Sequence, residues 1–170
     1  KDAEVLVDGY LNGFPKLKEW RINSREQVKQ YGFIVNRVGR IRHLPKAKQI
    51  YSKYGEQILD WRFRKELSER YGTEAVTQLY RDYKNAMNNC LNYQLQSLAA
   101  AVVNRAAIQI NRKLKELGID GRVQAQVHDQ LLINVPEDVA EQLKPIIQEL
   151  MENTTKLPGV TLKAPPEIAN

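Results

Sequence analysis

One cysteine among 170 residues, Cys90, excludes an internal disulfide and suits a reducing compartment. No apolar run approaches the ~20 residues of a bilayer-spanning helix, and the first residues carry no secretory signal pattern. Internal repeats and low-complexity segments are missing too, which excludes solenoid and linker-like architectures. What remains is the composition of a globular protein, 42% hydrophobic and 27% charged, long enough for one sizeable domain or two small lobes. The chain starts "KDAEVL", without Met and already in helical pattern, and reads as a piece of a longer polypeptide.

Charge is unevenly spread. The formal net charge is +6, yet residues 16–48 alone carry ten Lys and Arg against Glu19 and Glu26, a local +8 that leaves −2 for the rest. Such a concentration fits either a polyanion partner such as nucleic acid or a solvated Lys-rich face.

Periodicity gives an α+β chain. Two helices separated near Gly13–Pro15 precede Gly32, and "FIVNRVGRIRHLP" follows as a short hairpin turning at Gly39, with Arg40 and Arg42 on one face at period two. Residues 46–84 read as helical pieces broken at Gly55 and Gly72. A long helix spans about Glu74 to Leu117, with a buried stripe of Leu91, Leu95, Leu98, Val102, Ala106, Ile110 and Leu114. "RVQAQVHDQLLINVP" reads as two strands meeting at His128–Asp129. Pro136 then opens a helix to about Asn153, kinked by Pro145, and "VTLKA" after Gly159 is a last short strand.

Three constellations bear chemistry. At a hairpin turn, Asp129 serves either the turn itself or a divalent metal, since Mg²⁺ prefers carboxylate oxygens; one carboxylate alone holds it poorly. The amides Asn85, Asn89, Asn92 and Gln96 share one helix face. Asn is a poor helix former, so the row suits either minor-groove acceptors or hydrogen bonds at the edge of the core. Arg40 and Arg42, with Arg37 nearby, suit phosphate contact through forked guanidinium groups.

Taken in order, these pieces resemble the C-terminal part of family A DNA polymerases, the bacterial DNA polymerase I and phage replicase type. "QVHDQLLINVP" is similar to motif C, usually QVHDE followed by an apolar strand. "GRIRHLP" resembles the fingers segment G-R-R-x-x-L-P, "LNYQLQSLAAAVVNRA" the helix reading I-N-x-P-x-Q-G-T-A-A-D, and "VDGYLNGFPKLKEW" the Y-F-x-x-Y-P-x-V-x-x-Y/W helix. The likeness covers about residues 3–48 and 85–164. It implies distal fingers over 1–92, with an insertion at about 49–84, and the C-terminal palm over 93–170, whose antiparallel sheet holds the motif C hairpin. That hairpin is expected to pair with a strand outside this chain and with "VTLKA".

The resemblance implies that Asp129 is the catalytic metal-binding aspartate and that His128 lies by the primer terminus. It also implies that Asn92 and Gln96 contact the template–primer minor groove and that Arg40 and Arg42 sit in a DNA-contacting loop. Arg37, Asn85, Asn89 and Gln126 are counted with these DNA-binding residues. The implied partners are template–primer DNA, deoxynucleoside triphosphates and the upstream polymerase portion, with no membrane. The implied cofactor is a pair of Mg²⁺ ions shared with residues outside this chain, and the implied location is the cytoplasm, organelles not excluded.

Departures are specific. Gln130 replaces the glutamate usual after the aspartate, Asn88 stands where relatives often carry arginine, and Asn36 replaces a threonine upstream of the Gly-Arg loop. Neither the D-Y-S-Q-x-E-like strand of motif A nor the R-x-x-x-K-x-x-x-Y/F-G fingers helix occurs here. The expected activity is therefore template-directed DNA synthesis with this chain supplying the motif C half of the active site. The alternative is a non-catalytic DNA-binding remnant or accessory subunit on the same scaffold.

Overall fold

The computed structural model describes residues 2–169. The elements run α1 (Asp2–Gly13), α2 (Pro15–Tyr31), β1 (Phe33–Val35), β2 (Ile41–His43), α3 (Pro45–Tyr54), a 3-10 turn (Gly55–Leu59), α4 (Trp61–Tyr71), α5 (Thr73–Glu116), β3 (Arg122–Val127), β4 (Gln130–Asn134) and α6 (Glu137–Asn153). The fold is α+β: helices dominate and the strands form two separate two-stranded antiparallel sheets, β1–β2 and β3–β4. The chain divides into two compact units, 1–96 and 97–170, and α5 contributes residues to each.

In the first unit, Val28 of α2, Ile34 of β1, Ala47 and Ile50 of α3, Ile58, Leu67 of α4, and Val76, Tyr83, Met87 and Cys90 of α5 form one buried cluster. Burying a large aliphatic side chain contributes roughly 1.5–3 kcal/mol, so this cluster holds residues 49–84 onto the helices that flank them. Cys90 is fully buried, and desolvation raises its thiol pKa. Lys29 ties α2 to the 3-10 turn: its ammonium lies 2.6 Å from Glu26 Oε1 and from Glu56 Oε1, and 5.1 Å from the Tyr51 ring centroid. Burial opposes the Lys29 charge, but the hydrogen bonds that its ammonium donates to the two carboxylates outweigh it and hold the pKa above the usual lysine range. Gln94 joins α2 to α5: Trp20 Nε1 donates to its Oε1 at 3.4 Å, and its Nε2 donates to Ser24 Oγ at 2.8 Å.

In the second unit, α5 ends in a Schellman motif. Ile119 N–H donates to Leu114 O, Gly118 N–H donates to Lys115 O, and Gly118 takes φ +68°, a conformation costly for any side chain with a Cβ. Ile119 and Leu114 then meet in the core, the apolar contact that accompanies this cap. Leu143 of α6, with Val139, Ile146, Ile147, Leu150 and Met151 beside it, covers the inner face of the hairpin through Val123, Leu131, Ile133 and Val135. Glu137 and Asp138 occupy the first turn of α6, where the helix dipole favours carboxylates, and Pro145 lies inside the helix.

Two expectations fail locally. Leu95 is 61% exposed, because successive i, i+3 and i+4 steps drift around a helix and the stripe leaves it on the open side, where Asn92 and Gln96 are exposed too. "VTLKA" forms no sheet strand. An isolated bridge joins Leu157 to Val160, and the following residues run without regular structure. Ala164 N–H instead donates to Glu152 Oε1 at 3.0 Å, which satisfies that backbone group without a partner strand. This bond, with one from Gln148, lowers the Glu152 pKa.

Candidate nucleic-acid and catalytic site

The arginine hairpin is a three-residue loop of defined type. Gly39 N–H donates to Asn36 O at 3.1 Å, closing a turn over Arg37 and Val38, and Asn36 N–H donates to Arg40 O at 2.9 Å. Gly39 takes φ +82°, so this is a turn followed by a left-handed glycine bulge, a common three-residue hairpin connection. Arg37, Arg40 and Arg42 are all exposed, which leaves their guanidinium groups available to an anion. Arg37 lies in the turn, Arg40 stands opposite Asn36 just before β2, and Arg42 lies within β2 opposite Ile34, so Arg40 and Arg42 keep the spacing of two residues along one register.

The amides Asn85, Asn89, Asn92 and Gln96 lie on α5, and all are exposed, as is Asn88. That exposure leaves the reading of them as core-edge hydrogen bonds without support. Within the first unit, Tyr93 Oη donates to Ile41 O at 3.2 Å, tying α5 beside Asn92 to the strand between Arg40 and Arg42. Sequence reasoning missed Tyr93. Its spacing of one residue from Asn92 carries no signal, since a tether between elements distant in sequence is visible only once they are folded.

The second group sits at the tip of β3–β4. Val127 pairs with Gln130, so His128 and Asp129 are the two central residues of the turn. His128 takes φ +54°, the sole non-glycine residue with positive φ among the described residues. Positive φ at the first central position alone is the pattern of a type II′ turn, where glycine is preferred. A histidine there carries strain of order 1 kcal/mol, and such positions are enriched at functional sites. Gln126 Nε2 donates to His128 O at 3.2 Å, steadying the turn through its peptide carbonyl. Asp129 and Gln130 are both exposed. A bulge between Val123 and Ala125 shifts the pairing register, and Val123 N–H donates to Asn111 Oδ1 at 2.8 Å, fixing the base of the hairpin to α5.

Among the described residues no cluster of three or more His, Cys, Asp or Glu side chains could hold a metal ion. Asp129 is an exposed, hard oxygen donor, so its chemistry suits one ligand position on a divalent cation such as Mg²⁺, which a single carboxylate holds poorly by itself. Among the described residues no helix is long and apolar enough to cross a membrane.

The arginine loop and the amide row belong to the first unit, and the His128–Asp129 turn to the second. Against proteins of known family, the chain matches the model of "DNA polymerase family A" over residues 1–170. It is 29% identical over 157 residues to DNA polymerase I of Pseudomonas aeruginosa, covering 92% of this chain and 14% of that protein. It is 28% identical over 158 residues to the thermostable DNA polymerase I of Thermus filiformis, covering 92% of this chain and 15% of that protein. Among solved structures it resembles the POL domain of Pol1 from M. smegmatis in complex with DNA primer-template and dNTP. The TM-score is 0.64 at 25% identity, over 92% of this chain and 23% of that one. The chain thus spans about one seventh of the length of these curated relatives. A family match from its first residue to its last, on a fold like that of a polymerase domain, leaves one conclusion: this chain belongs to DNA polymerase family A.

Proposed function

We propose that this chain is the distal fingers (1–92, with an insertion at about 49–84) and the C-terminal palm (93–170) of a template-directed DNA polymerase. It supplies the motif C half of the active site, and residues of the upstream polymerase portion complete it. The observation that carries this reading is the His128–Asp129 turn: a strained two-residue tip lifts one free carboxylate off the end of a braced hairpin. The solved relative holds primer-template DNA and dNTP, which supports the same two partners here.

Asp129 is the metal ligand in this reading, and Mg²⁺ bound in a two-ion site would activate the primer 3′ hydroxyl and neutralise the leaving pyrophosphate. The chain's own contribution is positional. The turn fixes Asp129 relative to β3 and β4, and His128 stands next to it for the primer end. Asn85, Asn89, Asn92 and Gln96 offer paired donors and acceptors to minor-groove base edges, and Gln126 braces the turn. Arg37, Arg40 and Arg42 contact backbone phosphates. Gln130 cannot act as a second carboxylate, so the site leans on Asp129.

A non-catalytic DNA-binding remnant draws on that same Gln130. Replacing Asp129 with Ala in the intact protein separates the two. Primer extension should fall by at least ~10³-fold while DNA affinity stays within about threefold, since a metal-held transition state is lost but the phosphate contacts are kept. Undiminished extension would refute the catalytic role of Asp129. An intact protein that binds DNA but never extends a primer, with or without the substitution, would establish the remnant.

A further inference from the structure

The departure at position 36 has a structural counterpart. Asn36 is buried, and its Oδ1 accepts two backbone N–H groups, from Val38 at 3.0 Å and from Arg40 at 2.9 Å. Its own N–H and C=O bond Arg40 O and Gly39 N. One side chain thus fills the inside of the turn and fixes both ends of the Arg37–Arg40 segment. An Asn in this place forms an Asx turn, in which the carboxamide stands in for a backbone acceptor. Arg37 and Arg40 are left no choice of backbone direction, and their exposed guanidinium groups leave a preset loop.

We propose that Asn36 is the positioning residue of the arginine loop: it pre-orders Arg37 and Arg40 for two neighbouring phosphates of the bound duplex. This rests on the reading of those arginines as phosphate contacts. The mechanism is entropic. Without the two Oδ1 bonds, the loop must be ordered at each binding event, and the guanidinium groups meet their phosphates only part of the time. Gly39 cooperates, because its positive φ returns the chain to β2.

The test uses the intact protein and a primer-template duplex, with affinity measured across salt concentration. Each phosphate contact contributes ~0.9 to the slope of log K against log[salt], so two contacts are worth about 60-fold at 0.1 M salt relative to 1 M. The double variant Arg37→Ala/Arg40→Ala should flatten the slope by ~1.8. Asn36→Ala should flatten it by about 1 and weaken binding roughly tenfold at 0.1 M salt, but should have no further effect once both arginines are gone. Asn36→Thr keeps an oxygen acceptor and should restore most of the slope. It also serves if the alanine variant folds poorly.

The outcomes separate cleanly. A merely structural Asn36 would lower stability and leave the slope at its wild-type value, which overturns the proposal. So does an Asn36→Ala effect that persists in the arginine-free background, or a threonine variant that behaves like the alanine one. If the arginine double variant itself changes neither slope nor affinity, the phosphate-contact reading fails first and the role of Asn36 falls with it. Arginine dependence without Asn36 dependence overturns the positioning role alone.

Discussion

Replacing Gly121 with Ala tests how the hairpin bearing Asp129 is seated. A Cβ built on Gly121 would lie 2.8 Å from Val135 Cγ1, 2.9 Å from the backbone oxygen of Asn134 and 3.5 Å from Leu114 Cδ1. Two of these contacts are shorter than side chains tolerate, and one is to backbone, which cannot rotate away. Overpacking of this kind costs about 1–3 kcal/mol. Gly121 has no positive φ, so alanine adds no backbone strain there, and the stiffer unfolded chain returns about 0.4–1 kcal/mol. The net expectation is a loss of roughly 1–2 kcal/mol, localised to the start of β3 and the end of β4. Native-state hydrogen exchange on the β3 and β4 amides reads this directly, as about 5–30-fold faster exchange at 1.4 kcal/mol per factor of ten. The matching control is Gly9→Ala in α1, where nothing lies within 4 Å of the added Cβ and the variant should gain about 0.5–1 kcal/mol in helix stability. If Gly121→Ala leaves hairpin exchange unchanged or slows it, the strand base is not a close approach and the reasoning is wrong.

Replacing Lys29 with Met removes two ion pairs and a cation–π contact while keeping the buried stem, and should cost about 1–2 kcal/mol at neutral pH by urea unfolding. The hydrogen bond from Lys29 lowers the Glu56 pKa in the folded protein, so its contribution is present above the ordinary carboxylate range and lost as pH falls through the lowered value. The gap between wild type and variant should therefore narrow on acidification; a gap that widens would contradict the assigned pairing. Substituting His128 by Gly should relieve the positive-φ strain and slow exchange of the hairpin amides by about threefold or more. If the imidazole serves the primer end, the same variant extends primers more slowly despite its steadier hairpin. Faster exchange would refute the strain.

Much of this fold is legible because its signals are local. The long α5 helix follows from a sustained apolar period, its end from Gly118, and the hairpin tip from a polar pair between two alternating strands. The misses share a different cause. Leu95 fits the helical count but falls on the open side of α5, which depends on where neighbouring elements pack. "VTLKA" has strand propensity, yet propensity makes no ladder without an accessible edge, and the Ala164 N–H bonds Glu152 instead. Within the candidate site, residue types and their spacing are readable, but the exposure of the amide row and the connections are not. Tyr93 to Ile41 and Asn36 to Val38 and Arg40 are properties of the folded backbone. Gln130 was visible from the start as the odd residue beside Asp129, and its exposure gives it no buried role that would explain the change.

Cys90 lies at zero exposure in the first core, with its thiol pKa pushed up by burial, so little reactive thiolate is ever presented to solvent. It is also the only cysteine of these 170 residues. A cysteine introduced on the open surface, at Gly9 for instance, would therefore be the one thiol in this stretch that a maleimide dye or spin label could reach. The chain can be labelled at a chosen point without first removing a native thiol, and so without opening a hole in its core.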